Sequence, residues 1–425
     1  MARKAKEGKD VVAATPAKAM SKLAQMRGVL EKVLKDDDSH VEIDEDKIKV
    51  SFPHLPSGSI IIDFLIGGRP NKYGVLPCPG FPRGRLVNLY GQESAGKTTL
   101  CLSVCAQAAA RGLSTVYIDW EHTLDLAYTK ALGVPINNSD LFDLYQPESM
   151  EKGLSILYTA AKAGVDLIVL DSTGAAVPQV VLDQRIDEQG EQVRMGLLAA
   201  KWSQFLPKLK GITARTGSCV IGISQLRKKM ATGPGANYGD GTTTQGGEAW
   251  KFYSEVRLGL KRIGFEKGKV YNILENKMVD DVVLSNIIAR MDKCKVAASQ
   301  GMSAKLFIRH GDGIDDMKSI IDIAVAHGIL RKDGNWIGWE RESGETLRFN
   351  GVDAFKTGIR KAEGAWEELY RKTLERLAKV AKDSSVVIED FDDSEFDPNA
   401  ETEKEIQEIL GNSDKPVSVS QPDED

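Results

Sequence analysis

From residue 85 onward, short continuous apolar runs alternate with longer amphipathic stretches. The runs are Leu86, Val87 and Leu89, then Ser114–Trp120 (STVYIDW), Asp166–Asp171 (DLIVLD) and Ser218–Ser224 (SCVIGIS). Runs of this length without polar alternation predict strands buried on both faces. Asp140–Gln146 predicts a further strand. Helical spacing predicts helices from the Gly91–Thr98 turn to Gly112, over Glu148–Ala163 and over Met195–Arg215, where Pro207 predicts a kink. Such alternation predicts an α/β fold with a mainly parallel sheet covered on both faces. The later runs, Phe252–Ile263, Val270–Leu274, Val282–Met291 and Ala304–Ile308, are expected as antiparallel additions. Ahead of the core, Ser21–Lys35 places Leu23, Met26, Leu30, Val33 and Leu34 on one helical face, which needs a surface to pack on.

In such sheets working residues collect at the carboxyl ends of the strands, and four ends carry chemistry. After the first run comes Gly91-Gln92-Glu93-Ser94-Ala95-Gly96-Lys97-Thr98, a complete G-x-x-x-x-G-K-[ST] between a strand and a helix. In that context the backbone N–H groups and the helix N-terminus cradle a phosphate chain. Lys97 reaches the β/γ-phosphates and the Thr98 hydroxyl holds Mg²⁺. The second end leaves Glu121 just beyond STVYIDW, either as a carboxylate that polarises an attacking water or as a solvated loop glutamate. The third is Asp171, a carboxylate behind an apolar strand and so a second Mg²⁺ ligand. The fourth is Gln225, a candidate γ-phosphate sensor or a simple strand cap.

Two polar stretches leave from these ends, Val177–Gly196 and Leu226–Gly247. The second holds six glycines, three basic residues and one aromatic, with no apolar period. Loops this long are usually functional or disordered. With Arg194, Arg227, Lys228 and Lys229 they suggest a site that tracks a nucleic-acid backbone; lids over the nucleotide are the alternative.

Charge sharpens this picture. The 425-residue chain has net charge −5, but Asp383–Asp425 alone holds 15 acidic and 2 basic residues, which leaves the remainder at +8. A mildly basic body with an acidic tail fits a polyanion binder whose tail competes for the same surface; a solubilising tail is the other reading. The five cysteines are scattered without C-x-x-C spacing, as expected of reduced cytoplasmic thiols. No apolar run approaches a membrane span, and residues 1–20 lack the apolar segment of a signal peptide.

The ordered set of motifs resembles the RecA family of ATP-dependent DNA strand-exchange recombinases. It comprises Ser57-Gly58-Ser59 with Asp63, GQESAGKTT (through Thr99), YIDWEHTLD, LIVLDS, Met195-Gly196-Leu197, ISQLR, TTTQGG and the run from Ala249 to Leu258. The resemblance implies a RecA-type P-loop core over 41–310, an N-terminal oligomerisation helix within 1–40, a small α+β C-terminal domain over 311–382 that guides duplex DNA, and a restraining acidic tail over 383–425. It implies that Glu121 is the water-activating base, and that Asp125 and Tyr128 contact adenine. Gln225 would couple the γ-phosphate to the long loop. The DNA-binding segments would include Arg194, Met195, Gly196, Arg227, Lys228, Lys229, Tyr238, Thr243, Thr244, Gly246 and Gly247. Lys251 and Phe252 would face a neighbouring subunit, and Lys293 and Lys295 would reach its phosphates in trans; on spacing alone those two lysines read as edge-strand solubility residues. ATP and Mg²⁺, single- and double-stranded DNA, a helical homo-oligomer and a mediator or single-strand-binding protein follow as cofactors and partners. A ring-forming helicase or loader on the same core, and a non-catalytic scaffold, stay open. The Arg69–Gly84 insertion, the longer 226–247 loop and the diverged 264–290 region depart from the family pattern. The divergence points to a phage or otherwise remote member, and at 264–290, which overlaps the family's co-protease surface, it leaves repressor co-cleavage in the SOS response without support.

Overall fold

A computed structural model describes residues 26, 50–67, 70–71, 75–184, 191–228, 242–244 and 248–383. Chain contacts divide it into residues 1–50 and residues 51–425, and the second unit holds the fold. The expected helix over 21–35 lies outside the described residues apart from Met26, and the acidic tail beyond Asp383 lies outside them too.

The elements run β1 (His54–Leu55), α1 (Ile60–Gly67), β2 (Phe81–Pro82), β3 (Leu86–Gly91), α2 (Lys97–Ala109), β4 (Thr115–Asp119), α3 (Leu126–Ala131), β5 (Phe142–Tyr145), α4 (Met150–Ala163) and β6 (Leu167–Asp171). Then come α5 (Gln179–Leu182), α6 (Glu191–Thr216), β7 (Cys219–Lys228), β8 (Thr242–Thr244), α7 (Ala249–Tyr253), β9 (Val256–Asn272), β10 (Lys277–Cys294), β11 (Ser303–Arg309) and β12 (Gly313–Ile314). The C-terminal part holds α8 (Asp316–Ala326), β13 (Arg331–Asp333), β14 (Trp336–Glu340), β15 (Thr346–Asn350), α9 (Val352–Lys361) and α10 (Ala365–Asp383).

The main sheet has the order β12-β11-β10-β9-β3-β7-β6-β4-β5. Neighbouring residues on the apolar strands divide between its two faces. Val87, Val169 and Ile221 join Leu100 and Val104 of α2 in one core. Leu86, Ile168 and Val220 join Leu157 of α4 and Trp202, Leu206 and Leu209 of α6 in the other. This is why the runs show no polar alternation.

Several expectations change. The run expected at 252–263 is split: Phe252 lies in α7, and β9 pairs parallel with β3, Val87 opposite Val256 and Gly91 opposite Leu260. Only beyond β9 does the sheet become antiparallel, through β10 and β11. α7 supplies the physical reason, since it returns the chain to the start of the sheet before β9 begins. The two runs at 252–263 and 270–274 belong to one long strand that forms a ribbon with β10, and its turn leaves Ile273 and Leu274 exposed. The polar stretch 177–196 is not all loop: it contains α5, and α6 begins at Glu191, so Arg194, Met195 and Gly196 stand in the first turns of a helix that carries Pro207 in its interior. The base of the 226–247 stretch is a hairpin, with β8 pairing Thr244, Thr243 and Thr242 against Leu226, Arg227 and Lys228. Lys229, Tyr238, Gly246 and Gly247 lie outside the described residues. β10 lies between β9 and β11 in the sheet order, but β11 pairs only with Leu284–Arg290, so Lys293 has β9 alone beside it and Lys295 lies just past the strand.

In the C-terminal part, a three-stranded sheet and α8–α10 enclose Ile320, Ile321, Ile337, Trp339, Phe355 and Leu369, and Ile60 and Ile61 of α1 enter the same cluster. Trp339 is core. Trp336 is exposed, with the Arg348 guanidinium 5.1 Å from its ring centroid.

Candidate active site

The site is built where β3, β4 and β6 end and where β7 passes the end of β3. Gln225, expected at a strand end, lies inside β7, which continues to Lys228 because β8 pairs with Leu226–Lys228. β3 runs straight into the phosphate-binding turn. Gly91 is required there by its neighbour, since a Cβ would lie 2.2 Å from the Leu260 carbonyl oxygen of β9. Gly96 has φ 82° and caps α2 without a side chain, so the first amides of that 13-residue helix keep their donors for an anion. Lys97 is buried, and its Nζ donates to the carbonyls of Gly91 (3.2 Å) and Gln92 (2.6 Å). Burial pulls its pKa down, while Asp171, Glu121 and Glu93 act in the opposite direction.

Strand register brings the other ends level. Gly91 stands opposite Gln225, and Asp119 opposite Asp171. Asp171 Oδ2 accepts from Thr98 Oγ1 (2.9 Å) and from the Tyr117 hydroxyl (2.7 Å). Burial pushes the Asp171 carboxyl up to about 6, an effect reduced by those two hydrogen bonds. One hydroxyl and one carboxylate side by side suit Mg²⁺, which usually takes few protein oxygens and completes its shell with water and substrate phosphates. Among the described residues no cluster of three or more acidic, histidine or cysteine side chains offers a fuller metal cage.

Glu121 and Gln225 meet: Gln225 Nε2 donates to Glu121 Oε1 at 3.0 Å. The turn that presents Glu121 is held by Asp119, which sequence reasoning passed over. Its Oδ1 accepts from the amides of Glu121 (3.0 Å) and His122 (2.9 Å), and its Oδ2 from the Leu124 amide (3.2 Å) and Gln146 Nε2 (3.0 Å). A buried acidic residue ending a strand just before a polar turn is the available signal.

Beside the phosphate turn lies a cavity of about 400 Å³. Tyr128 lines it, with its hydroxyl 3.2 Å from Thr99 Oγ1. Asp125 is the N-cap of α3, and its Oδ1 accepts from the amides of Ala127 (2.8 Å) and Tyr128 (3.0 Å). It therefore places Tyr128. Arg262, Ser285 and His310 complete the wall from β9, β10 and just past β11, with the Ser285 hydroxyl 2.8 Å from His310 Nε2. No local motif announces these three; only the sheet order does.

The lysines lie elsewhere. Lys293 pairs with Arg257, which is level with Asn88, so it stands about 10 Å down the strands from Gly91 at ~3.3 Å per residue. Its Nζ donates to the carbonyls of Lys251 and Phe252, both at 2.9 Å, at the end of α7. Burial and then the nearby Lys295 lower its pKa. Lys295 is further down still, lining a second cavity with Gly84 and Arg85 ahead of β3. Phe252 is 66% exposed. The two lysines therefore do not join Lys97, Glu121 and Asp171 within one chain.

A phosphate-binding turn between strand and helix, a level carboxylate behind a buried strand and a hydroxyl beside it define a P-loop nucleotide-binding α/β protein. The family model "RecA N-terminal domain" matches residues 26–315. "Protein RecA" of Thermus thermophilus is 36% identical over 77% of this chain and 86% of its own length. "Protein RecA" of Fusobacterium nucleatum is 38% identical over 70% of this chain and 71% of its own. Among solved structures, a crystal structure of the RadB recombinase covers 61% of this chain and 98% of its own with TM-score 0.41 and 19% identity, too distant a likeness to add weight. The chain belongs to the RecA family. Among the described residues no helix is long and apolar enough to cross a membrane.

Proposed function

We propose that this chain is an ATP-dependent recombinase that assembles head to tail into helical filaments on single-stranded DNA and catalyses homologous pairing and strand exchange. Family membership supports the class of activity. The observation that carries the mechanism is the Gln225–Glu121 hydrogen bond, because it joins the turn facing the phosphates to the strand that leads into the 226–247 segment. In this reading Glu121 accepts the proton of the attacking water, and Lys97 and the α2 amides hold the triphosphate. Thr98 and Asp171 would hold Mg²⁺, which supplies charge neutralisation to the phosphates. A γ-phosphate that draws Gln225 away from Glu121 would free the base and move β7, and with it the segments carrying Arg227, Lys228, Lys229, Tyr238, Thr243, Thr244, Gly246 and Gly247. Arg194, Met195 and Gly196, at the start of α6, would meet DNA from the other side. Backbone contacts of this kind position DNA while base pairing reads sequence.

Lys293 and Lys295 support the oligomer. At the opposite end of the sheet from the P-loop, they serve a phosphate only if one subunit's lower end meets another's upper end. Such a heterologous contact propagates into a filament unless its rotation closes a ring. Lys251 and Phe252, beside them, would belong to the same junction, and residues 21–35 would extend it. The proposed layout remains 1–40 arm, 41–310 core, 311–382 duplex-guiding domain and 383–425 tail. The test is ATP hydrolysis and strand exchange with single-stranded DNA by the full chain and by Lys97→Ala. The reading requires DNA-stimulated hydrolysis in the first and its loss, together with strand exchange, in the second. Strand exchange surviving in Lys97→Ala would overturn it.

A further inference from the structure

Three indoles connect the elements that the proposed function needs to move together. Trp120 directly precedes Glu121, and its amide donates to the Asp171 carbonyl at 2.7 Å. Trp202 lies on α6, and its Nε1 donates at 3.0 Å to the carbonyl of Thr173, two residues beyond Asp171. Trp250 lies on α7, which follows the segment ending at Gly247. The Trp120 and Trp202 rings are 6.1 Å apart at 89°, and those of Trp202 and Trp250 5.3 Å apart at 67°. All three are buried.

The surroundings are cut to admit them. A Cβ on Gly153 of α4 would lie 2.1 Å from Trp120 Cζ2, and one on Gly222 of β7 would lie 2.6 Å from Trp250 Cη2. Trp250 Nε1 is buried without a hydrogen-bond partner among the described residues. Aliphatic side chains would fill this volume without leaving a buried donor unmet, so apolar packing alone does not account for the third indole.

We infer that Trp120, Trp202 and Trp250 are positioning residues that keep the Glu121 strand end in step with the two segments assigned to DNA, an inference that rests on the recombinase reading. Indoles are rigid plates, and edge-to-face contacts fix their relative orientation. In a close-packed interior a displacement of α6 or α7 must be taken up by its neighbours. Along this stack the neighbour is Trp120, and the residue after it is the proposed base. The stack runs on the face of the sheet that α4, α6 and α7 cover, and so supplies a second connection beside the Gln225–Glu121 hydrogen bond.

The experiment measures kcat and KM for ATP with and without single-stranded DNA, in the wild-type chain, Trp202→Leu and Trp202→Phe. The ratio of DNA-stimulated to DNA-free turnover is expected to fall on the order of tenfold in Trp202→Leu, with KM within about twofold, and to recover most of that loss in Trp202→Phe. A wild-type ratio in Trp202→Leu overturns the inference while leaving the recombinase reading intact; absence of DNA stimulation in the wild type removes both. Should Trp202→Leu not fold, the wild-type chain decides. Its indole circular-dichroism bands, read where DNA does not absorb, should change when single-stranded DNA is added with a non-hydrolysable ATP analogue, and unchanged bands overturn the inference.

Discussion

Asp119→Asn probes the geometry that presents the proposed base without touching the phosphate site. Asp119 spends both carboxylate oxygens on four donors, three backbone amides and Gln146 Nε2. Asparagine has one oxygen. Its best orientation keeps that oxygen on the Glu121 and His122 amides and turns its NH₂ toward Leu124 and Gln146. Gln146 can rotate its amide to offer an oxygen, but the Leu124 amide is left facing a donor in a half-buried place. One charge-assisted hydrogen bond worth about 1.5–3 kcal/mol is lost and two become neutral, so the turn loosens by on the order of 3 kcal/mol. Displacing Glu121 by about 1 Å would lower kcat up to about 100-fold, with KM for ATP little changed because Lys97 and the α2 amides are untouched. The assay is DNA-stimulated ATP hydrolysis, with thermal unfolding as a control. Adding Gln146→Glu is not expected to restore kcat, because the Leu124 amide still faces the asparagine NH₂. A kcat within twofold of wild type in a folded Asp119→Asn chain would refute the idea that this carboxylate aims Glu121.

Two further outcomes follow from the same geometry. A trans site predicts complementation: Lys293→Ala and Glu121→Gln chains, each inactive alone, should regain about one quarter of wild-type DNA-stimulated hydrolysis when mixed equally, because that share of random junctions pairs an intact Glu121 with an intact Lys293; no recovery would place the lysine's role within one chain. Burial pushes Asp63 and Asp316 both up to about 7, each also raised by other nearby carboxylates. These carboxyls hold their protons longer folded than unfolded, so their contribution is present in full below about pH 4 and lost as pH rises toward 7, by on the order of 4 kcal/mol for one such shift. Asp316→Asn keeps an acceptor for the Ile60 amide and should raise the unfolding temperature at pH 8 by a few degrees; a lower temperature there would contradict the assignment.

Much of the site was legible because its pieces are local. The Gly91–Thr98 turn and Asp171 behind LIVL each sit where a buried strand releases its chain, and Gln225 behind VIGIS sits where β7 leaves its parallel neighbour β3 and runs on as a hairpin with β8. Their meeting follows from parallel register, which sets Gly91 level with Gln225 and Asp119 level with Asp171. What escaped reading depends on order across the sheet. The pattern of β9 changes from continuous to alternating beyond Leu260, where it leaves the sheet as a ribbon, and nothing local says that its first half lies parallel to β3. The cavity wall of Arg262, Ser285 and His310 is invisible for the same reason, as is the meeting of three indoles on three separate elements. Asp125 shows the opposite case: Asp before Leu-Ala-Tyr is a local helix-cap signal, and the side chain caps α3.

The central claim is that ATP at a subunit junction controls assembly on DNA. Electron microscopy of the full chain with single-stranded DNA and a non-hydrolysable ATP analogue tests it most directly. The account predicts helical filaments that require both DNA and nucleotide and are absent with Lys97→Ala. Closed rings, or unassembled subunits under the same conditions, would contradict it.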